Sequence, residues 1–281
     1  GGIPRNFGAG CRMGGGGMFV IEGDEYDSAF FDKTAKFLKY LPDIGVVNNV
    51  EYDHADIYRS VDDFRLAFRR FVGLVPRNGY VLLGADDEEA LKLFEEALCK
   101  VETFGLDEKS DWRAVDVRQT SHETAFTLIY KERKLAEVTL PLLGTFNVKN
   151  ALAAIAAAAK VGVDPALAAG ALGRFEGVRR RLEIRCVVDG ITIYDDFAHH
   201  PTAIKSTLQG LRARVKDDTI IAVIELASHT MKKGTHAETL AGSTAGADEV
   251  LWFQTDKVAW DMSRLENRTS RLISDHITLI R

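Results

Sequence analysis

Residues 19–58, FVIEGDEYDSAFFDKTAKFLKYLPDIGVVNNVEYDHADIY, set two acid-rich clusters after two short apolar runs. Phe19-Val20-Ile21 is a β-prone run leading into Glu22, Asp24, Glu25 and Asp27, and residues 44–47 form a second run leading into Asn48, Asn49, Glu51, Asp53, His54 and Asp56. In open α/β sheets the carboxyl ends of the strands form the ligand crevice, so these clusters predict one site built on neighbouring strand ends. Carboxylates and amides suit magnesium, which takes one or two protein carboxylates, keeps several waters and completes its shell from substrate phosphates. Single aspartates in the set read as solvated, helix-capping acids. Glu22 and His54 stand out as metal ligands and catalytic groups.

Outward from this stretch, apolar runs alternate with amphipathic segments. Residues 80–83 read as a third buried strand, closed by Gly84-Ala85-Asp86-Asp87, and residues 61–74 place Phe64, Ala67, Phe68 and Phe71 at helical spacing. A parallel α/β sheet is the expected result. Residues 112–141 alternate with period two around the charged turn Lys131-Glu132-Arg133-Lys134, which predicts a small antiparallel part. An alanine-rich helix over 151–161 follows, then a helix opened by Asp164-Pro165 and ending near Gly173. A boundary is expected at residue 184, dividing the chain into domains 1–184 and 185–281. Beyond it, a hairpin and strand in CVVDGITIYDD, a helix over 202–215, strands over 220–225 and 249–254 and a helical stretch over 240–245 make a second α/β domain.

The chain has 281 residues, 46% hydrophobic and 27% charged, enough for a sizeable core and for two domains. A formal charge of −5 and a pI near 5.9 leave no basic footprint, so no nucleic-acid partner is expected. Cys11, Cys99 and Cys186 have neither metal-ligand nor disulfide spacing and fit a reducing cytoplasm. No run approaches the roughly 18 apolar residues of a span, and the first residues lack a basic-then-apolar signal pattern. No membrane partner is expected.

In GTFNVKNALAA (144–154), Gly144 permits a sharp turn, and Asn147 and Asn150 share one helix face and can offer amides to a purine edge. Asn147 could instead simply cap the helix. Arg179-Arg180-Arg181 reads as an exposed basic run or as a source of a guanidinium fork for ribose or phosphate oxygens. Asp196 could accept from ribose hydroxyls or cap a helix ahead of Pro201; His199-His200 could contact phosphate or ribose, or open that helix without a ligand.

Taken in order, GGIPRNFGAGCRMG (1–14), FVIEGDEYD (19–27), NNVEYDH (48–54), GTFNVKNALAAIAAA (144–158), GVRRRLEIR (177–185) and YDDFAHHPTAI (194–204) resemble the motifs of the Mur ligases over nearly the whole chain. The resemblance implies a central ATPase-type parallel sheet with a small antiparallel part, followed by a Rossmann-like α/β C-terminal domain that is incomplete. It implies ATP and Mg2+ as cofactors, and UDP-N-acetylmuramate and a peptide acceptor as partners. Glu22 and His54 would bind magnesium, and Asn147, Asn150, Arg181, Asp196 and His200 the nucleotide. Asn6, Arg12, Asn49, His199 and Lys232 would lie near substrate. DEYD (24–27) and DFAHHPTA (196–203) favour the branch that joins the tripeptide L-Ala-γ-D-Glu-meso-diaminopimelate in peptidoglycan recycling. The L-alanine-adding branch, typically DESD and DYGHHPTE, is the alternative.

Departures carry expectations too. The family's P-loop and UDP-binding domain would lie upstream of Gly1 and its last glycine-containing segment beyond Arg281, so the chain is expected to be a fragment unable by itself to turn over ATP. Ala227 stands where the family has an arginine, while Lys232 is kept. Arg69 and Arg70 stand where some members carry a carbamylated lysine, so none is expected. Two other classes compete: a hydrolase using Asp53-His54-x-Asp56 as metal ligands, which the scattered histidines oppose, and a non-catalytic nucleotide-binding remnant.

Overall fold

The structure is a computed structural model that describes residues 2–54 and 57–274; Asp56 lies outside the described residues. The chain divides into two compact units, Gly1–Gly177 and Val178–Arg281. The boundary expected at 184 falls inside a strand, Glu183–Val188, of the second unit, because the pairing of that strand with its hairpin partner keeps residues 183–195 together. Among the described residues no helix is long and apolar enough to cross a membrane.

The first unit begins with a hairpin of β1 (Asp27–Ala29) and β2 (Asp32–Ala35). There follow β3 (Ile44–Val47), α1 (Val61–Gly73), β4 (Tyr80–Gly84), α2 (Glu88–Leu91), β5 (Lys100–Gly105), β6 (Trp112–Gln119), β7 (Thr124–Tyr130), β8 (Arg133–Leu140), α3 (Thr145–Lys160) and α4 (Pro165–Leu172). Strands β3 to β8 form one sheet in sequence order, parallel from β3 to β6 and antiparallel from β6 to β8. This is the expected α/β class with its antiparallel part.

Helices cover both faces, so β4 is apolar at every position rather than alternating. Its Val81 and Leu83 pack with Phe64 and Phe71 of α1, while Leu82 packs with Leu152 and Ile155 of α3. Ser60 caps α1 by accepting from the Asp63 amide at 3.1 Å, and Phe64, Ala67 and Phe71 bury one stripe. At about 1.5–3 kcal/mol per buried large side chain, that stripe outweighs intrinsic helix propensity in fixing α1. Helix α3 starts earlier than its alanine run suggests, because Gly144 at φ +92° opens it and Val148 already belongs to the buried face. A Cβ at Gly144 would sit 2.6 Å from the Phe146 ring.

One predicted strand is absent. Phe19, Val20 and Ile21 form no ladder and are 80%, 94% and 48% exposed. A three-residue run needs a neighbouring strand to bond, and no described strand lies against it. Strand β5 escapes the sequence pattern for the opposite reason: its buried Glu102 breaks the apolar run, yet Trp112, Tyr130 and Lys160 satisfy the carboxylate.

The second unit holds the hairpin β9 (Glu183–Val188) and β10 (Ile191–Asp195), then α5 (Pro201–Val215), β11 (Ile221–Glu225), α6 (His229–Lys233), α7 (Ala237–Ser243), β12 (Glu249–Phe253) and β13 (Ser270–Ile273). Strands β11, β12 and β13 form a parallel sheet in that order. Its core gathers Leu208, Leu226, Met231, Leu240 and Trp252, and the indole of Trp252 donates to Ser270 at 2.8 Å.

Candidate functional site

The carboxyl ends of β3 and β4 and the first turns of α3 converge in the first unit. Asn48, directly after β3, donates its side-chain amide to Asn150 of α3 at 3.4 Å, and Lys149 lies 3.7 Å from Asp86, just past β4. The approach is close because Gly84 ends β4 without a side chain: a Cβ there would lie 2.0 Å from the Asn48 carbonyl oxygen. Asp86 also accepts the Leu106 amide beyond β5 at 3.2 Å, and Asp87 accepts those of Val50 and Ala90 at 3.2 and 2.7 Å. Two loops and a helix start are thereby held by these two carboxylates.

Asn150 and Asn49 are exposed on this crest. Asn147 is half-buried in the first turn of α3 and donates to the Leu143 carbonyl at 2.7 Å, so the cap position belongs to Gly144 and not to Asn147. Asn150 carries the polar face forward.

His54 is 7% exposed and has φ +56°, a left-handed backbone uncommon outside glycine and asparagine. Its Nε2 lies 2.8 Å from the Glu25 carboxylate, and the Tyr26 ring sits 3.9 Å from the imidazole. The Tyr58 hydroxyl donates to the Glu25 carbonyl at 2.7 Å; burial, with the negative charges of Glu25 and Asp24 adding, pushes its pKa well above that of an ordinary phenol. Glu25 is thus a partner of His54, although sequence reading placed it in the acid cluster without a role. Glu22 is exposed and lies in a segment outside any strand, so it does not close a strand beside β3 as expected. The strand adjoining β3 is β4. Among the described residues no group of three or more His, Cys, Asp or Glu side chains is arranged to hold a metal ion. The donor chemistry still fits magnesium, whose sites use one or two carboxylates and draw other ligands from water and phosphate.

Upstream, Asn6 spends its amide on the chain itself: it donates to the Arg174 carbonyl at 2.8 Å and accepts the Glu176 amide at 2.9 Å. The Arg12 guanidinium is exposed and lies over the Phe7 ring at 4.7 Å.

In the second unit Arg180 and Arg181 both lie over Phe197, at 4.9 and 5.7 Å. Arg180 is also held by Asp195 at 3.5 Å, while Arg181 is exposed. Asp196 accepts the amides of Leu182 and Ala198, each at 2.8 Å, and the Thr207 hydroxyl at 3.3 Å. It pins the residues after Arg181 to the end of β10 and is not the cap of α5. That cap is His200, whose ring meets that of His236 edge to face with centroids 4.3 Å apart. His199 meets the Phe197 carbonyl at 2.9 Å. Lys232, on α6, lines a cavity of about 520 Å³ with His229, Lys233 and Lys257. Ala227 lies in the turn before α6, where Ser228 caps the helix.

Sequence reading missed Asp86 and Lys149 as partners and Glu25 as the holder of His54. Asp86 had a signal, since it follows a strand end as Asn48 does. The Glu25–His54 contact had none, because residues so far apart in sequence meet only after folding.

A mixed sheet, parallel from β3 to β6 and with a polar crest over the first turns of a helix, followed by a second unit with a parallel sheet, describes a two-part α/β protein. Residues 10–158 match the Mur ligase middle domain and residues 180–280 the Mur ligase glutamate ligase domain, and the chain belongs to the Mur ligase family. It is 42% identical over 266 residues to the UDP-N-acetylmuramate--L-alanyl-gamma-D-glutamyl-meso-2,6-diaminoheptandioate ligase of Escherichia coli (strain K12), covering 94% of this chain and 58% of that protein. It is 35% identical over 225 residues to the UDP-N-acetylmuramate--L-alanine ligase of Desulforapulum autotrophicum, covering 80% of this chain and 48% of that protein. A crystal structure of a murein peptide ligase from Psychrobacter arcticus 273-4 is similar with a TM-score of 0.65 and 34% identity over 93% of this chain and 56% of that one. The chain thus spans less than two thirds of the relatives it matches.

Proposed function

We propose that this chain supplies the nucleotide- and acceptor-handling parts of an ATP-dependent ligase that joins L-Ala-γ-D-Glu-meso-2,6-diaminopimelate to UDP-N-acetylmuramate, a step of peptidoglycan recycling in the cytoplasm. The observation that carries the reading is the crest on which Asn48, Asp86, Lys149 and Asn150 meet at the carboxyl ends of β3 and β4, in a family whose muropeptide-ligating member shares 42% identity with this chain.

In this reading a muramate carboxylate oxygen attacks the γ-phosphorus, the bond to the β-phosphate oxygen breaks and ADP leaves. The peptide's amine then attacks the acyl carbon of the resulting acyl phosphate, loses a proton, and phosphate departs. Both steps gather negative charge on oxygen, so positioning and fixed positive charge supply most of the rate. Glu22 and His54 would hold a magnesium ion, which supplies positive charge beside the phosphate oxygens. Glu25 keeps the His54 ring oriented, as outer carboxylates do for ligating histidines. Asn150 and Asn147 offer amides to adenine. Asp196, fixed by three hydrogen bonds, and Arg181 would present a carboxylate and a guanidinium to ribose and phosphate, and His200 would join them. Asn6, Arg12, Asn49, His199 and Lys232 would approach the sugar nucleotide or the peptide.

The test compares acceptors by phosphate release in a ligase containing this chain and the domains its relatives possess. The intact tripeptide is expected to be used at least about 10-fold better than free L-alanine, a difference of roughly 1.4 kcal/mol. A preference for L-alanine would move the assignment to the L-alanine-adding branch.

A further inference from the structure

We propose that Asp86 is a positioning residue for the nucleotide: by holding Lys149 it sets the turn of α3 from which the neighbouring Asn150 offers its amide. The inference rests on the ligase reading above and goes beyond it, because it makes nucleotide affinity depend on a carboxylate that need touch neither base nor phosphate. Asp86 stands at the carboxyl edge of the sheet, tied to the end of β5 and to the start of α3.

Two glycines bring these elements together. At the end of β5 a Cβ on Gly105 would stand 2.7 Å from Asp86 Oδ2, so the carboxylate lies directly on bare backbone. The Leu106 amide donates to both of its oxygens, each at 3.2 Å. At the end of β4 Gly84 admits the Asn48 carbonyl in the same way. Asp86 is thus fixed to β5, and its charge is met on α3 by the Lys149 ammonium at 3.7 Å. Among the described residues Lys149 has no other carboxylate partner.

Helix α3 opens on Gly144 without a side-chain cap, so its first turns rely on tertiary ties, this one and the Gly144 amide's bond to Gln119 at 3.1 Å. Lys149 and Asn150 are consecutive, about 100° apart around the helix axis. A tie on Lys149 therefore fixes the direction of Asn150, and Asn48 adds a second restraint by donating to Asn150 Oδ1 at 3.4 Å. With its oxygen engaged, Asn150 keeps its NH2 for a ring nitrogen of adenine. The Asp86 and Lys149 side chains are 23% and 38% exposed, and an ion pair so open to water contributes little to stability. What it supplies is direction, and a small displacement of a binding group costs affinity out of proportion to stability.

The experiment is calorimetric titration of ADP into the longer enzyme, with all the domains of its relatives, together with the KM for ATP measured by phosphate release. Asp86→Asn keeps an oxygen for the Leu106 amide and removes the charge that holds Lys149. It is expected to raise the ADP Kd and the ATP KM about 10-fold, with kcat within about 2-fold and an unchanged melting temperature. Lys149→Gln should give the same loss and Lys149→Arg should retain affinity. Asp86→Asn combined with Lys149→Gln should be no worse than either alone, because both break one link. An ADP Kd that Asp86→Asn leaves unchanged, a loss matched by a lower melting temperature, or losses that add in the double variant overturns the assignment. Failure of the ligase reading is seen separately, as no phosphate release by the unsubstituted enzyme with UDP-N-acetylmuramate and the tripeptide. The ADP titrations decide the role of Asp86 in that case too.

Discussion

The two edges of the central sheet use polar residues in opposite ways. At its amino edge, Glu102 of β5 is buried at 8% exposure and accepts from Trp112 at 2.7 Å, from Tyr130 at 3.0 Å and from Lys160 at the end of α3. The Lys160 ammonium lies 4.8 Å from the Tyr80 ring and 5.6 and 5.7 Å from those of Trp112 and Tyr130. Every charge there has its partner, with aromatic faces filling the remaining space. At the carboxyl edge Asn48 and Asn150 meet at 3.4 Å, Lys149 stands off Asp86 at 3.7 Å, and Asn49 and Asn150 face water. A saturated network fixes the end of α3; an unsaturated one leaves donors and acceptors for a ligand.

The sharpest way to break this comparison is at the amino edge. Lys160→Ala leaves the buried Glu102 carboxylate with only the half-exposed Lys131, 3.8 Å away, as its cation, and should cost about 3 kcal/mol of unfolding free energy by urea titration. A loss below about 1 kcal/mol would show that the amino edge is no tighter than the crest. The same pair predicts a pH effect. Burial alone would raise the Glu102 pKa, but the hydrogen bonds from Lys160, Trp112 and Tyr130 outweigh it and hold the carboxyl below its ordinary 4.5. Because the folded pKa is the lower one, this stabilisation is complete above pH 4.5 and is lost as pH falls through the folded value. Glu102→Gln should therefore flatten the acid limb of stability, measured as melting temperature against pH.

At the carboxyl edge the expected loss is in chemistry. His54→Ala or Glu22→Ala, in an enzyme with all the domains of its relatives, should lower ligation on the order of 100-fold, about 2.7 kcal/mol of lost transition-state stabilisation. Near-normal turnover at saturating magnesium would remove both residues from the metal assignment. Gly84→Ala tests both properties at once. Its Cβ would meet the Asn48 carbonyl oxygen, and relief by displacement of the end of β3 should cost about 1–3 kcal/mol of stability and weaken nucleotide binding. Unchanged binding would separate the crest from nucleotide recognition.

Much of this molecule was legible in its sequence. The apolar runs of β3 and β4 and the stripe of α1 carry their own periodicity, and Asp164-Pro165 capped α4 as expected. Asn150 and Asn48 were readable as polar residues at a helix start and a strand end. Legibility failed where a residue's neighbours lie far along the chain. Phe19-Val20-Ile21 has the composition of a strand but no ladder, and β5 hides behind a glutamate that only a distant lysine and two aromatic rings make acceptable in a core.

The order of motifs and the period of the apolar residues determined the family and the two-part α/β architecture, because both are properties of neighbouring residues. Tertiary structure alone decided that Glu25 meets His54, that Asp196 pins the residues after Arg181 and that His200 takes the cap of α5. It also set Asp86 against Gly105 and Lys149. Each of these is a contact between side chains and backbone groups brought together by packing, and local sequence preference carries no information about which distant partner will satisfy a buried or half-buried polar group.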